Sequence, residues 1–218
     1  MIVNLQKLIP KTRRQISPKA LAKNTAHYQQ VLRKYGYESR SPKAFDKLAE
    51  YLASYAAGHW ENEHYDPPEL GLMLFGPCGT GKTYAMQIFS GLFKVELIAA
   101  AELVRQYAIG GEKQFWEYVE QFKYKPLIID DIAGEREIKS YGNASPLIDY
   151  AAERYRLFKY NKTLTFFTTN AEDRKELKAR YGDRIVSRIL GMCDPVYVDG
   201  KDCRLERETE KKGEVTDD

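Results

Sequence analysis

The stretch LFGPCGTGKTYAM, residues 74–86, holds three glycines close together, the last followed directly by a lysine and a threonine. Residues 76–83 fit the pattern GxxxxGK[ST], in which backbone N–H groups cradle phosphates at the positive end of a helix. The pattern is meaningful only between a strand and a helix, and here GLMLF precedes it while KTYAMQIFSGLF follows. The alternative, a glycine-rich turn that binds nothing, is less favoured because the predicted strand before the loop and the predicted helix after it also match the pattern.

Two side chains of this loop have expected roles in nucleotide binding. Lys82 should reach the β- and γ-phosphates, and the Thr83 hydroxyl should be a ligand of Mg²⁺. The loop residues predicted to bind the nucleotide are Gly76, Pro77, Cys78, Gly79, Thr80, Gly81, Lys82, Thr83 and Tyr84.

The composition is that of an ordinary globular protein, since 43% of its 218 residues are hydrophobic and 30% are charged. This length suits one substantial domain. A net charge of +3 permits a nucleic-acid partner without arguing for one. The three scattered cysteines favour a reducing cytoplasm over a disulfide framework. No apolar run has the length of a signal peptide or a membrane span, so we expect a cytoplasmic protein with no membrane partner.

Five short apolar runs alternate with helical patterns, after a first amphipathic helix predicted at residues 44–57. A later helix should begin at Ser145-Pro146, where a capping residue precedes a proline at the first helical position. Alternating strands and helices predict an α/β fold, with a five-stranded parallel sheet sandwiched by helices. The predicted strands are residues 71–75, 95–100, 126–130, 163–169 and 195–199.

Changes in composition divide the chain into three segments. Residues 1–43 are basic and polar with weak helical periodicity, so we expect a short, partly ordered helical extension that is a candidate for binding a partner. Residues 44–205 should form the nucleotide-binding domain. The charged tail, 206–218, cannot build a core and is predicted to be disordered.

Acidic and amide side chains follow two of the predicted strands. Asp130 is the last residue of the run PLIID, and Asp131 follows it directly. Asp130 can hold the magnesium shell, and Asp131 can orient or deprotonate an attacking water. Glu135 is a weaker candidate for the residue that activates this water. Asn170 follows TFFTT and would face the same crevice, where it can hold a water near the γ-phosphate. An asparagine that merely forms a turn fits its local sequence equally well.

Two arginines, Arg184 and Arg188, lie one helical turn apart in RYGDRIVSRILGM. Two arginines on a helix are most often solvated surface. An arginine supplied by a neighbouring subunit can instead stabilise the charge that develops during phosphoryl transfer.

The order of segments GPCGTGKT, IIDD, TTN, GDRIVSRI and DGKDCR resembles that of an AAA+ ATPase. More narrowly, residues 44 to 205 resemble the bacterial helicase loaders of DnaC type and the transposition helper ATPases of IstB type. The resemblance implies a P-loop fold of AAA+ type, in which Asn170 is the sensor 1 residue, Arg188 the arginine finger and Arg204 a candidate sensor 2 that contacts ATP. Two features depart from the family: the N-terminal part is short and lacks a Cys/His cluster, and little room remains for a C-terminal lid.

ATP is favoured over GTP, because NKTL at residues 161–164 is not the NKxD of a guanine-specific pocket and because the resemblance is to ATPases. Adenine contacts are expected from residues 45–60. The resemblance also implies ATP-dependent self-association, with a replicative helicase or a transposase and single- or double-stranded DNA as partners. A DNA-binding track could use Lys113, Lys123, Lys125, Lys139 and residues 174–188, although scattered lysines usually form a solvated surface.

Three functions remain open on the sequence. The favoured one is an ATPase switch with slow turnover that depends on assembly or DNA. The second is a small-molecule kinase, which would need an acceptor pocket and an arginine-bearing lid, and no clear lid insertion is present. The third is a regulatory ATP-binding module with negligible turnover.

Overall fold

The computed structural model describes residues 16–37, 41–59, 68–135, 145–200 and 202–203. The strands lie close to the predicted apolar runs, with ends shifted by a few residues. The described elements, in chain order, are α1 (Pro18–Lys34), α2 (Pro42–His59), β1 (Gly71–Phe75), α3 (Lys82–Phe93), β2 (Glu96–Ala99), α4 (Ala100–Glu120), β3 (Leu127–Ile132), α5 (Pro146–Asn161), β4 (Thr165–Thr169), α6 (Arg174–Leu190) and β5 (Cys193–Tyr197).

The five strands form one sheet in the order β2-β3-β4-β1-β5, and every neighbouring pair is parallel. The predicted five-stranded parallel sheet is therefore confirmed. Strand β4 pairs with both β1 and β3, so the carboxyl ends of these three strands lie side by side. The segments that follow them carry the glycine loop, the two aspartates and Asn170, and the topology brings all three to one edge of the sheet.

Apolar side chains cover both faces of the sheet, as expected for strands sandwiched by helices. Along β1, Leu72 and Leu74 belong to one core cluster while Met73 belongs to the other, because successive side chains of a strand point to opposite faces. The same division separates Phe166 from Phe167 in β4.

The N-terminal helices belong to one of these two cores. The helix predicted at residues 44–57 is confirmed as α2, and the periodic side chains Phe45, Leu48, Leu52 and Tyr55 are all buried. Helix α1 packs on α2, and its Leu32 is fully buried in the same cluster. The described part of the predicted extension is thus a helix that joins the core. Residues 1–15 and the predicted tail 206–218 lie outside the described residues.

Helix α5 begins at Pro146 with Ser145 as its N-cap residue, as predicted, although the serine side chain makes no capping hydrogen bond. Its Arg154 is fully buried, which hydrophobic periodicity alone did not predict. The guanidinium donates to Thr165 Oγ1 at 2.8 Å and to three backbone carbonyls near the amino ends of β3 and β4. Because its donors are satisfied in this way, an arginine is tolerated at a core position.

Helices α4 and α6 each contain one residue with non-helical backbone angles, Gly111 with φ 69° and Gly182 with φ 79°. Each helix therefore consists of two segments that meet at a glycine. None of the helices in the described ranges combines the length and the apolar character that crossing a membrane requires.

Candidate functional site

The glycine loop connects β1 to α3, the strand–loop–helix context that its pattern requires. Gly76 has φ 129°, and a Cβ there would lie 2.6 Å from the carbonyl oxygen of Val198. Gly81 is the N-cap residue of α3 with φ 90°, a conformation that residues with a Cβ rarely adopt. These glycines let the loop wrap closely around the positive end of α3.

Lys82 lies at the first position of α3 and is 5% exposed. Its Nζ donates to the carbonyl oxygens of Gly76 at 2.8 Å and Pro77 at 2.5 Å. The Thr80 hydroxyl also donates to the carbonyl oxygen of Pro77, over 3.0 Å. The lysine therefore lies inside the loop, with its charge held by backbone oxygens of the loop itself.

Thr83, in the first turn of α3, meets the end of β3. Its hydroxyl donates to Asp130 Oδ1 over 3.0 Å, and the Thr168 hydroxyl of β4 donates to the same oxygen over 2.6 Å. The two predicted magnesium ligands, Thr83 and Asp130, are thus in direct contact. Both are hard oxygen donors, the kind that Mg²⁺ prefers, so this pair fits the ion.

Asp131 and Asn170 are brought together by the pairing of β3 with β4. Asn170 Nδ2 donates to Asp131 Oδ1 over 2.7 Å. The backbone N–H of Asp131 donates to Thr168 Oγ1 over 2.8 Å, so one threonine hydroxyl contacts both aspartates. Sequence reasoning did not single out Thr168. Its position two residues before Asn170 was the available signal, and the pairing of β4 with β3 came from the structure.

Glu135, the rival candidate for activating water, belongs to a different cluster. Its carboxylate accepts a hydrogen bond from the Tyr181 hydroxyl over 2.7 Å and lies 3.4 Å from the guanidinium of Arg180. It is 7% exposed and does not line the cavity at the glycine loop. Asp131 does line that cavity.

The cavity at the loop has a volume of about 650 Å³, within the usual range for small-molecule sites. Besides predicted residues it contains Gly36, Tyr37, Gln87 and Cys203, which sequence reasoning missed. The residues that line it are Gly36, Tyr37, Cys78, Gly79, Thr80, Gly81, Lys82, Thr83, Tyr84, Gln87, Asp130, Asp131, Asn170 and Cys203.

Two tyrosines border this cavity, with the ring centroids of Tyr37 and Tyr84 6.3 Å apart. The described part of residues 45–60, where adenine contacts were expected, supplies none of the lining. Its Phe45 instead stacks on Tyr37, with centroids 6.3 Å apart and an interplanar angle of 13°. That segment therefore supports the cavity wall from behind. A weak signal was present in the sequence, since Gly36-Tyr37 is a glycine next to an aromatic residue.

The chain after β5 returns to the glycine loop. The backbone N–H of Cys203 donates to the carbonyl oxygen of Gly79 over 3.1 Å. Gly79 has φ 76°, a conformation that favours glycine, and a Cβ there would lie 1.9 Å from the Asp202 side-chain oxygen Oδ1. Cys78 is exposed at the same cavity. Arg204, the candidate sensor 2, lies outside the described residues.

Arg188 lies apart from the glycine loop of its own chain. It lines a second cavity between α4, α5 and α6, where its guanidinium carbon is 5.8 Å from the centroid of the Tyr155 ring. Arg184 is exposed. Neither arginine lines the cavity that contains Lys82.

The described lysines of the predicted DNA track outside residues 174–188 lie on the surface of α4 and the turn after it. Lys113 lies 3.8 Å from Glu117, and Lys123 lies 2.8 Å from Glu120. Lys125 is exposed, and Lys139 lies outside the described residues. The track remains a prediction.

Comparisons with known proteins place this fold. No protein-family model matches the sequence, and no curated protein matches it either. The chain is similar to the crystal structure of the DnaC helicase loader, with a TM-score of 0.53, 17% identity, and coverage of 84% of this chain and 100% of that one. It is also similar to the crystal structure of DnaI, with a TM-score of 0.56, 19% identity, and coverage of 87% and 95%. With its parallel sheet and its glycine loop between β1 and α3, the chain shares the α/β P-loop fold of these structures.

Proposed function

We propose that this protein binds and hydrolyses ATP with Mg²⁺ and acts as an AAA+ switch on DNA, as a DnaC-like loader of a replicative helicase or an IstB-like transposition helper. The observation that carries the ATPase proposal is the single cavity that joins Lys82, the Thr83–Asp130 pair and the Asp131–Asn170 pair. Cation, metal ligands and a water-orienting carboxylate are the parts that phosphoryl transfer to water needs.

The phosphates of ATP would lie on the glycine loop, where backbone N–H groups and the end of α3 favour negative charge. Lys82 donates to loop carbonyls, and a triphosphate offers it stronger, charged acceptors at short range. The rings of Tyr37 and Tyr84 give the cavity an aromatic border suited to the base.

Thr83 and Asp130 would hold Mg²⁺ through their oxygens, since they are in contact at 3.0 Å at the cavity wall. When bound, the ion supplies positive charge to the β- and γ-phosphate oxygens. Thr168 fixes the Asp130 carboxylate by donating to its Oδ1, which keeps this ligand in place before any ion arrives.

Asp131 would orient the attacking water and accept its proton as the water oxygen bonds to the γ-phosphorus and ADP leaves. Asn170 donates to Oδ1 of that carboxylate and helps to hold it at the cavity wall, where it can act on a water. An asparagine amide beside the carboxylate also offers a hydrogen-bonding group for the same water.

Arg188 would act on the ATP of a neighbouring subunit. It does not line the cavity of its own chain, so an arginine finger at this position requires a second copy of the protein. Self-association is therefore part of the proposal, and turnover should be slow in the isolated subunit.

The proposal about partners depends on the similarity to a solved structure that is named as a helicase loader. A replicative helicase or a transposase, with single- or double-stranded DNA, follows by analogy of fold.

The test measures phosphate release from MgATP by the full chain with and without single-stranded DNA, together with oligomer size by light scattering. We expect slow hydrolysis that rises with DNA or with protein concentration, and we expect Asp131→Asn to bind ATP while hydrolysis falls by orders of magnitude. Phosphate transfer only to an added small acceptor would establish a kinase. Tight ATP binding with no turnover under any condition would establish a regulatory module.

A further inference from the structure

The backbone that follows β3 has an uncommon conformation. Asp131 and Ala133 both have positive φ, 58° and 69°, a region that residues with a Cβ seldom occupy. A Cβ on Gly134 would lie 2.4 Å from Asp131 Oδ2, so the loop folds back over the carboxylate of Asp131. Backbone conformations of this kind persist only where surrounding contacts hold them.

Tyr181 of α6 supplies contacts to both sides of this turn. Its hydroxyl accepts the backbone N–H of Ala133 over 2.5 Å and donates to Glu135 Oε1 over 2.7 Å. The side chain is buried, with 5% of the residue exposed. Burial and the neighbouring Glu135 raise the pKa of Tyr181, so the hydroxyl keeps the proton that it donates.

Glu135 is held on a second side by α6. The guanidinium of Arg180 donates to the backbone oxygen of Glu135 and lies 3.4 Å from Oε1. Neither Tyr181 nor Glu135 lines the nucleotide cavity. The loop that this cluster holds begins at Asp131, which does line the cavity, so Asp131 connects the cluster with the cavity.

We propose that Tyr181 is a positioning residue: by bonding to Ala133 and Glu135 it holds the loop after β3 in the conformation that directs Asp131 into the nucleotide cavity. The consequence for hydrolysis rests on the proposed ATPase function. The hold on the loop does not, because it concerns contacts within the chain.

Tyr181→Phe removes only the hydroxyl and keeps the ring. We expect kcat for MgATP to fall about tenfold, which corresponds to about 1.4 kcal/mol, with the Kd for ATP changed less than twofold. Tyr118→Phe is the matched control, a partly buried tyrosine of α4 that packs on the same core cluster. It should keep the wild-type kcat. Equal kcat values for wild type and Tyr181→Phe would overturn the proposal.

A double-variant cycle distinguishes positioning from a general packing effect. Glu135→Ala should also lower kcat, and Tyr181→Phe with Glu135→Ala together should lose less than the sum of the two single losses, because both remove the Tyr181–Glu135 hydrogen bond. Fully additive losses would overturn the proposal, since they would mean that the two side chains act independently.

Amide hydrogen exchange tests the hold on the loop without any enzymatic activity. In the full chain without nucleotide, exchange in the peptide 127–135 should be at least about fivefold faster in Tyr181→Phe than in wild type or Tyr118→Phe. Exchange in the β1 peptide 71–75 should be the same in all three. Unchanged exchange at 127–135 overturns the inference. Faster exchange there in a protein that hydrolyses no ATP supports the inference and refutes only the proposed function.

Discussion

Replacing Thr168 by valine removes the hydroxyl that joins the two aspartates of the site. Thr168 is 1% exposed, donates to Asp130 Oδ1 over 2.6 Å and accepts the Asp131 backbone N–H over 2.8 Å. Valine has nearly the same shape, so the substitution leaves packing largely intact while both hydrogen bonds are lost.

The expected cost follows from these two bonds. A hydrogen bond to a charged group contributes roughly 1.5–3 kcal/mol, and a neutral one contributes about 1 kcal/mol. The methyl group that replaces the hydroxyl recovers about 0.8 kcal/mol of apolar burial. The free energy of unfolding of Thr168→Val should therefore be about 2–3 kcal/mol below that of wild type, out of the roughly 5–15 kcal/mol typical of a domain.

Urea unfolding at 25 °C and pH 7 measures this difference. Thr163→Val is the control, because Thr163 is also buried, 6% exposed, and its hydroxyl contacts neither aspartate. We expect that control to remain within about 0.5 kcal/mol of wild type. Equal stabilities for the two valine variants would refute the described network around Asp130 and Asp131.

Three further predictions concern the nucleotide. Lys82→Ala removes the cation within the loop, so ATP affinity and turnover should both fall, as equilibrium binding and phosphate release would show; near-normal hydrolysis would contradict the site. Cys78 is exposed at the cavity and Cys193 is buried, where burial raises the pKa of its thiol, so an alkylating agent should label Cys78 first. Saturating MgATP should protect Cys78, and equal labelling with and without nucleotide would count against its placement. Arg188→Ala should bind ATP but lose assembly-dependent hydrolysis, and mixing it in equal amounts with Asp131→Asn should restore at most about a quarter of the wild-type rate, because random pairing makes about one interface in four intact. Wild-type rates for Arg188→Ala alone, or no rescue at any protein concentration, would exclude a finger acting between subunits.

Short-range patterns were sufficient for the glycine loop and the strands. The loop needs positive φ at Gly76 and Gly81, a backbone conformation that only glycine adopts without strain. The sequence pattern therefore predicts the geometry of the loop directly. Strands that are buried on both faces are continuous apolar runs, which is why β1, β3 and β4 were found close to their true positions.

The pairing of Asp131 with Asn170 was also within reach of the sequence, because carboxyl ends of parallel strands meet at one edge of a sheet. What periodicity could not predict is which strands are neighbours. The order β2-β3-β4-β1-β5 places β4 between β1 and β3, and that order makes Thr168 the common partner of Asp130 and Asp131.

Contacts between distant segments were decided by the tertiary structure alone. Tyr37, which follows α1, lines the cavity at the glycine loop, whereas the described part of residues 45–60, from which adenine contacts were expected, does not line it. This placement depends on the packing of α1 on α2. Tyr181 reaches Ala133 and Glu135 across more than forty residues of chain. Arg154 is tolerated in the core because three carbonyls from two separate segments, the turn after α4 and the residue before β4, accept its donors. A sequence pattern records what each residue requires locally, such as a positive φ or an apolar face. The partner of a buried polar group is chosen by the packing of the whole chain, since each hydrogen-bonding group must be satisfied by whatever the fold brings within reach.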